Sequence, residues 1–176
     1  MTSSTTLVLG GIRSGKSRLA QRLAQESGAE VVYVATARDE SDAELQARIQ
    51  RHRQERPPHW QVIEEPLALA TVLREQAAPG RCVVVDCLTL WLTNLLLADD
   101  PAVFECERDA LLAAVPSLPG SVILVSNEVG LGIVPLGALS RRFVDEAGLL
   151  QQRIAQLSER VVFVAAGLPM VFKGAL

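Results

Sequence analysis

Five runs rich in β-branched apolar residues punctuate the chain: TTLVLG (5–10), VVYVAT (31–36), RCVVVD (81–86), SVILVS (121–126) and RVVFVAA (160–166). None alternates apolar with polar positions, which predicts strands covered on both faces. Between them the period changes. SRLAQRLAQE (17–26), LALATVLREQ (67–76), LTLWLTNLLLA (88–98), PAVFECERDALLAAV (101–115) and a long stretch around 139–158 read as helices. In the last of these, Phe143, Ala147, Leu150, Ile154 and Leu157 form one stripe, which predicts packing on the chain's own sheet, with a subunit interface as the alternative. Strand–helix alternation of this kind implies right-handed crossovers and a three-layer α/β fold with a mainly parallel central sheet flanked by helices.

Composition agrees with that architecture. The 176 residues suit one domain, 1–176, with no interdomain linker or internal repeat. Hydrophobic residues make up 49% and aromatic ones only 4%, so the core is built from Leu, Val, Ala and Ile. A formal charge of −3 supports neither a nucleic-acid surface nor a polybasic membrane patch. The most apolar stretch, 81–99, is broken by Asp86, Thr89, Thr93 and Asn94, and no membrane span is expected. The opening MTSSTTLVLGG lacks the basic region and long apolar core of a signal peptide. Three cysteines (82, 87 and 106) without a C-x-x-C pair read as reduced, mostly buried thiols. A cytoplasmic enzyme is the expectation.

Chemistry concentrates where the predicted strands end: Gly10–Gly11, Thr36, Asp86, Asn127–Glu128 and Gly167. In open parallel sheets, ligands bind beyond those carboxyl ends. GGIRSGKS (Gly10, Gly11, Ile12, Arg13, Ser14, Gly15, Lys16, Ser17) fits G-x-x-x-x-G-K-[ST] between a strand and a helix, and implies a P-loop NTPase-like fold. Its glycines let backbone N–H groups converge on phosphate oxygens, and the helix N-terminus adds partial positive charge. Lys16 would bridge the β- and γ-phosphates and Ser17 would offer its hydroxyl to Mg²⁺. Asp86, ending RCVVVD, takes the place of the acid that helps hold that ion. A turn or helix-capping role for Asp86 fits the same position.

RIQRHRQERPPHW (48–60) is the less ordinary stretch. It sets Arg48, Arg51, Arg53 and Arg56 around His52 and halts at Pro57–Pro58. Ser41 and Glu44 form a capping-box pattern that predicts a helix over 42–56, with Leu45, Ile49 and His52 on one stripe. A packed histidine in a solvated basic helix fits that geometry. The arginine density points elsewhere, because four guanidiniums repel one another unless an anion gathers them. In a nucleotide-binding chain that anion is a phosphate chain. A neutral imidazole beside it is a nucleophile for phosphorus, kept neutral by the surrounding arginines. His59 and Trp60 follow the prolines and read as core residues or a weaker nucleophile candidate.

GGIRSGKS, VVYVATA, RIQRHRQERPPHW, VVVDCLTLWLTNLL and SNEVGLGIVP, in this order, resemble the bifunctional adenosylcobinamide kinase/adenosylcobinamide-phosphate guanylyltransferase family of cobalamin assembly. The resemblance implies two reactions. ATP or GTP phosphorylates the aminopropanol hydroxyl of adenosylcobinamide. GMP then passes from GTP to adenosylcobinamide phosphate through a guanylyl-histidine, releasing pyrophosphate. It also implies catalytic roles for His52 and Lys16, and nucleotide contacts from residues 10–17, Ala35, Thr36, Ala37, Arg53, Gln54, Glu55, Arg56, Glu64 and Asp86. A homotrimer is implied as well. Two positions depart from the pattern. Arg51 stands where some relatives carry a second histidine, and Asp86 stands where some carry Glu. SNEVGLGIVP (126–135) reads as a mobile substrate-side loop or as an ordinary glycine-rich turn. Two other readings keep the P-loop and lose the transferase: a small-molecule kinase with a structural His52, and a nucleotide-dependent switch module.

Overall fold

Residues 3–38 and 56–176 are described by the computed structural model, and their strands join one seven-stranded sheet. Strand β1 spans Ser4–Gly10, β2 Glu30–Ala35, β3 Gln61–Glu64, β4 Arg81–Asp86, β5 Ser121–Asn127, β6 Arg160–Ala165 and β7 Leu168–Lys173. The helices are α1 (Lys16–Glu26), α2 (Leu69–Gln76), α3 (Leu88–Leu96), α4 (Ala102–Ala114) and α5 (Ala138–Leu157), with a short 3₁₀ turn at Val115–Ser117. Strand order is β3-β2-β4-β5-β1-β6-β7, parallel throughout except the β6–β7 hairpin. The expected helix over 42–56 lies outside the described residues, apart from Arg56 at its end.

The apolar runs are buried on both faces, as the lack of alternation predicts. Leu7, Val32, Val34, Val83, Val85, Val122 and Leu124 pack under α2 to α5, around the fully buried Trp91 and Leu92. Their neighbours in sequence, Val8, Val31, Tyr33, Cys82, Val84, Ile123 and Val125, pack on the other face against Leu19, Ala20 and Ala24 of α1 and against Trp60. The α5 stripe turns inward through Ala147, Leu150 and Ile154, with Phe143 and Leu157 half-buried against the same cluster. It therefore packs on the chain's own sheet.

Two strands escape the hydrophobic pattern. β3 is four residues long and mostly exposed, so it carries little apolar signal. β7 reads LPMVFK and is exposed at every position. Its Pro169 lacks an N–H and is tolerated because this strand lies at the sheet edge. Two further details refine the expectations: the thiols are mostly buried, as expected, and of the pair after the prolines only one residue is core. Cys106 is exposed, whereas Cys82 and Cys87 are buried. Trp60 is core, while His59 is exposed at the turn after the double proline.

Candidate active site

Every parallel strand ends on one rim, and β1, between β5 and β6, brings the phosphate loop to it. Gly10 leaves β1 under tight constraint: a Cβ there would fall 2.5 Å from the Val164 carbonyl oxygen and 2.5 Å from Ser14 Oγ. Gly15 caps α1 at φ 98°, in the left-handed region that favours glycine, and its Cβ would press on Gly167 at 3.2 Å. Gly11, by contrast, has no atom within 4 Å of where a Cβ would stand. The first and third glycines thus serve the loop's own packing, and the second leaves an open face. The loop is tied down by Ser14 N–H to Gly11 O (3.2 Å) and Gly167 N–H to Ser14 O (2.8 Å).

What the loop offers is donor capacity. No side chain caps α1, and no acidic residue lies in its first turn. Its first N–H groups therefore have neither a capping side chain nor a competing carboxylate. Lys16 is buried to 8% exposure and its Nζ donates to Gly11 O at 3.1 Å, folded back along the loop. Among the described residues Ser14 Oγ is buried without a hydrogen-bond partner, a cost that a bound oxyanion would relieve. Ile12 and Arg13 are exposed, and Ser17 is half-buried on the first turn of α1.

Asp86 ends β4, in register with Ala35 of β2, which is in turn in register with Glu64 of β3. The Tyr33 hydroxyl donates to Asp86 Oδ2 at 2.7 Å. Burial first, then the neighbouring Asp86 charge, raises the Tyr33 pKa well above its ordinary value, so the phenol remains a proton donor. Arg56 lies over the Tyr33 ring, 4.2 Å from its centroid, and Trp60 stacks on it at 6.3 Å. Thr36 is fully buried. Its hydroxyl donates to Cys87 O (2.8 Å) and accepts from Cys87 N–H (2.9 Å), locking the ends of β2 and β4 together. The Asn94 amide holds Thr36 O (2.7 Å) and Pro66 O (3.0 Å) from below. Ala37 follows, half-buried, and Glu64 is exposed on the rim.

On the other side, Asn127 is level with Gly10 and its amide donates to Thr89 Oγ1 at 2.9 Å. Glu128 N–H donates to Gly10 O at 3.0 Å, and its carboxylate accepts from Gly130 N–H at 2.6 Å and Leu131 N–H at 3.3 Å. The SNEVGLGIVP loop thus starts against the phosphate loop. Cys87 is sealed between these groups, and burial, with the Asp86 charge beside it, pushes its thiol up to about 11. It is packed rather than reactive.

Among the sequence-predicted residues, the structure gathers 10–17, Ala35, Thr36, Ala37, Glu64 and Asp86 along one rim and brings Arg56 to it through Tyr33. His52, Arg53, Gln54 and Glu55 lie outside the described residues. Tyr33, Asn94 and the Thr89–Asn127 pair were not anticipated. The one signal for Tyr33 was a lone phenol inside an otherwise aliphatic strand.

With this geometry in view, the comparisons with known proteins are specific. The family described as cobinamide kinase / cobinamide phosphate guanyltransferase matches residues 6–172. The chain belongs to this family. It is 64% identical over 168 residues to the bifunctional adenosylcobalamin biosynthesis protein CobP of Pseudomonas aeruginosa, covering 96% of each chain. It is 39% identical over 180 residues to the corresponding CobU protein of Salmonella typhimurium, covering 95% of this chain and 98% of that one. Among solved structures, a Pyrococcus horikoshii protein aligns with TM-score 0.56 at 10% identity, over 98% of this chain and 87% of that one. An ATPase from a bacterial type III secretion system aligns with TM-score 0.53 at 14% identity, over 96% and 56%. At such identities these two show the fold alone. The expectations of a P-loop NTPase-like fold and of a cobinamide kinase/guanylyltransferase of cobalamin biosynthesis both stand.

Proposed function

We propose that one domain carries both reactions of the family on the rim just described: phosphorylation of adenosylcobinamide by ATP or GTP, then transfer of GMP from GTP through His52. The observation that carries this reading is the meeting at Tyr33. Its hydroxyl is bonded to Asp86, and Arg56, which closes the His52 segment, sits on its ring.

In the kinase step the loop amides, the α1 N-terminus and Lys16 hold the β- and γ-phosphates while the substrate hydroxyl bonds to the γ-phosphorus. The bond from the β–γ bridging oxygen breaks, the nucleoside diphosphate leaves and the hydroxyl proton passes to solvent. In the guanylyl step the neutral His52 imidazole forms a bond to the α-phosphorus as the bond to the bridging oxygen breaks and pyrophosphate leaves. An oxygen of adenosylcobinamide phosphate then attacks the same phosphorus, the P–N bond breaks, and adenosylcobinamide-GDP forms with His52 regenerated. Arg48, Arg53 and Arg56 are assigned to charge on the equatorial and leaving oxygens, where such groups contribute about 10³–10⁵ in rate.

The residues fit a magnesium ion. The Ser17 hydroxyl and the Asp86 carboxylate are hard oxygens, and the Tyr33 bond occupies only Oδ2. Among the described residues no cluster of three or more His, Cys, Asp or Glu gathers, which suits an ion held largely by the nucleotide's own phosphates. Magnesium would neutralise charge on the phosphate oxygens. The loop from Glu128 onward, exposed at Leu131, Ile133, Val134 and Leu136, is assigned to the substrate side. No helix among the described residues is long and apolar enough to cross a membrane. We place the enzyme in the cytoplasm.

Incubation with Mg²⁺ and GTP labelled at the α-phosphate tests the reading. Acid-labile, alkali-stable label is expected on the protein and is expected to vanish in His52→Ala. Label from the γ-position reaching substrate, with none taken from the α-position, would leave a plain kinase. Slow hydrolysis with no modified corrinoid would leave a switch module.

A further inference from the structure

We propose that Tyr33 is a positioning residue shared by the two transfer steps: its hydroxyl orients the Asp86 carboxylate, and its ring seats Arg56. The inference rests on the two-step reading above and assigns a role to a residue outside the nucleotide-contact set.

Three contacts converge on this side chain. It is 2% exposed within β2, where its neighbours Val31, Val32 and Val34 are aliphatic. A buried phenol needs a partner for its hydroxyl. Tyr33 finds it across the sheet in Asp86 Oδ2, at 2.7 Å. That bond occupies one oxygen of a carboxylate at the rim end of β4, on the same rim as the start of α1 at Lys16. The ring does separate work. The guanidinium of Arg56 lies 4.2 Å from its centroid, and Trp60 stacks at 6.3 Å with an interplanar angle of 28°. Arg56 and Trp60 bracket Pro57–Pro58, and the turn between them is closed by Trp60 N–H to Pro57 O at 3.2 Å. Proline fixes φ, so this bracket is stiff. The chain leaving the His52 segment is therefore clamped at two points to the residue that also bonds the metal-side carboxylate.

A core tyrosine could be retained for packing alone, and the two halves of Tyr33 separate that case. Tyr33→Phe keeps the ring, the stack and the cation–π contact and removes only the hydroxyl. Tyr33→Leu removes the ring as well. Three quantities are read for each: nucleotide affinity, by titration of a fluorescent GTP analogue with and without Mg²⁺; the extent of His52 guanylylation, by intact mass; and kinase turnover. Tyr33→Phe is expected to raise the Mg²⁺ concentration for half-maximal nucleotide binding several-fold, with Mg²⁺-free affinity within twofold of wild type. Tyr33→Leu is expected to lower guanylylation at least tenfold more than kinase turnover. Arg56→Lys keeps the charge but loses the planar group, leaves the core intact, and is expected to reproduce that selective loss.

An unchanged Mg²⁺ midpoint in Tyr33→Phe would overturn the hydroxyl's role. Parallel loss of both activities in Arg56→Lys, or guanylylation there equal to wild type, would overturn the ring's role. Absence of α-label on the wild-type protein would instead remove the two-step reading, while the Mg²⁺ midpoint of Tyr33→Phe would still decide the Tyr33–Asp86 half.

Discussion

The cysteines report residue-scale environment most directly. Cys82 and Cys87 are buried, and burial pushes each thiol from its ordinary 9.0 to about 11. At pH 8 roughly one part in a thousand of each is thiolate, the only form that alkylates. Native protein treated with iodoacetamide at pH 8 should therefore gain one adduct, at Cys106, and three after denaturation, as counted by mass spectrometry. The same shifts set a pH dependence. Both thiols stay protonated in the folded state while those of the unfolded chain ionise from about pH 9. Their contribution to stability is thus complete below that pH and lost as pH rises toward about 11. The urea midpoint should fall across that window, and should fall less in Cys82→Ala than in wild type. At this scale the phosphate loop was legible because its logic is local: glycines, Lys16 and Ser17 sit at fixed spacings on one turn. Tyr33 was not, because its meaning depends on which strand lies beside β2.

Among the elements, α3 shows how a helix can brace the rim through buried hydrogen bonds. Asn94 is 5% exposed and spends its amide on the carbonyls of Thr36 and Pro66, pinning the end of β2 and the approach to α2. Beside it, Trp91 Nε1 donates to Leu67 O at 2.7 Å, and Glu65 Oε1 accepts from Leu67 and Ala68 N–H at 2.8 Å each. Asn94→Ala strands buried carbonyls and should cost about 1–3 kcal/mol in urea unfolding. Nucleotide affinity should fall with it if the end of β2 is held as described. In the sequence, Asn94 registered only as an interruption in an apolar run. The five long strands and the helices were legible because their periodicity spans whole elements. β3 and β7 were not: one is too short to show a period, and the other pairs through its backbone while exposing every side chain.

Over the whole molecule, apolar surface is unevenly distributed. Leu168, Met170, Val171 and Phe172 are exposed along β7, which has one side unpaired among the described residues. Exposed apolar edges of this kind are covered in stable proteins, and we propose that the homotrimer implied by the family resemblance covers this one. Sedimentation equilibrium should report three chains, and Met170→Glu with Phe172→Glu should shift the species toward a single chain. A single chain for the unaltered protein at micromolar concentration would refute the trimer. Strand order was the property least accessible from sequence, since hydrophobic pattern names strands without naming their neighbours.

That order bears on how the protein comes into being. The GGIRSGKS loop is translated ahead of its scaffold: the partners of β1 are supplied by residues 121–127 and 160–165, and the clasp on Ser14 comes from Gly167. A nascent chain halted before residue 121 would carry the whole GGIRSGKS signature and still have no scaffold on which to shape it. Competence for nucleotide should therefore arise late on the ribosome and abruptly, and truncated products should be silent rather than partially active.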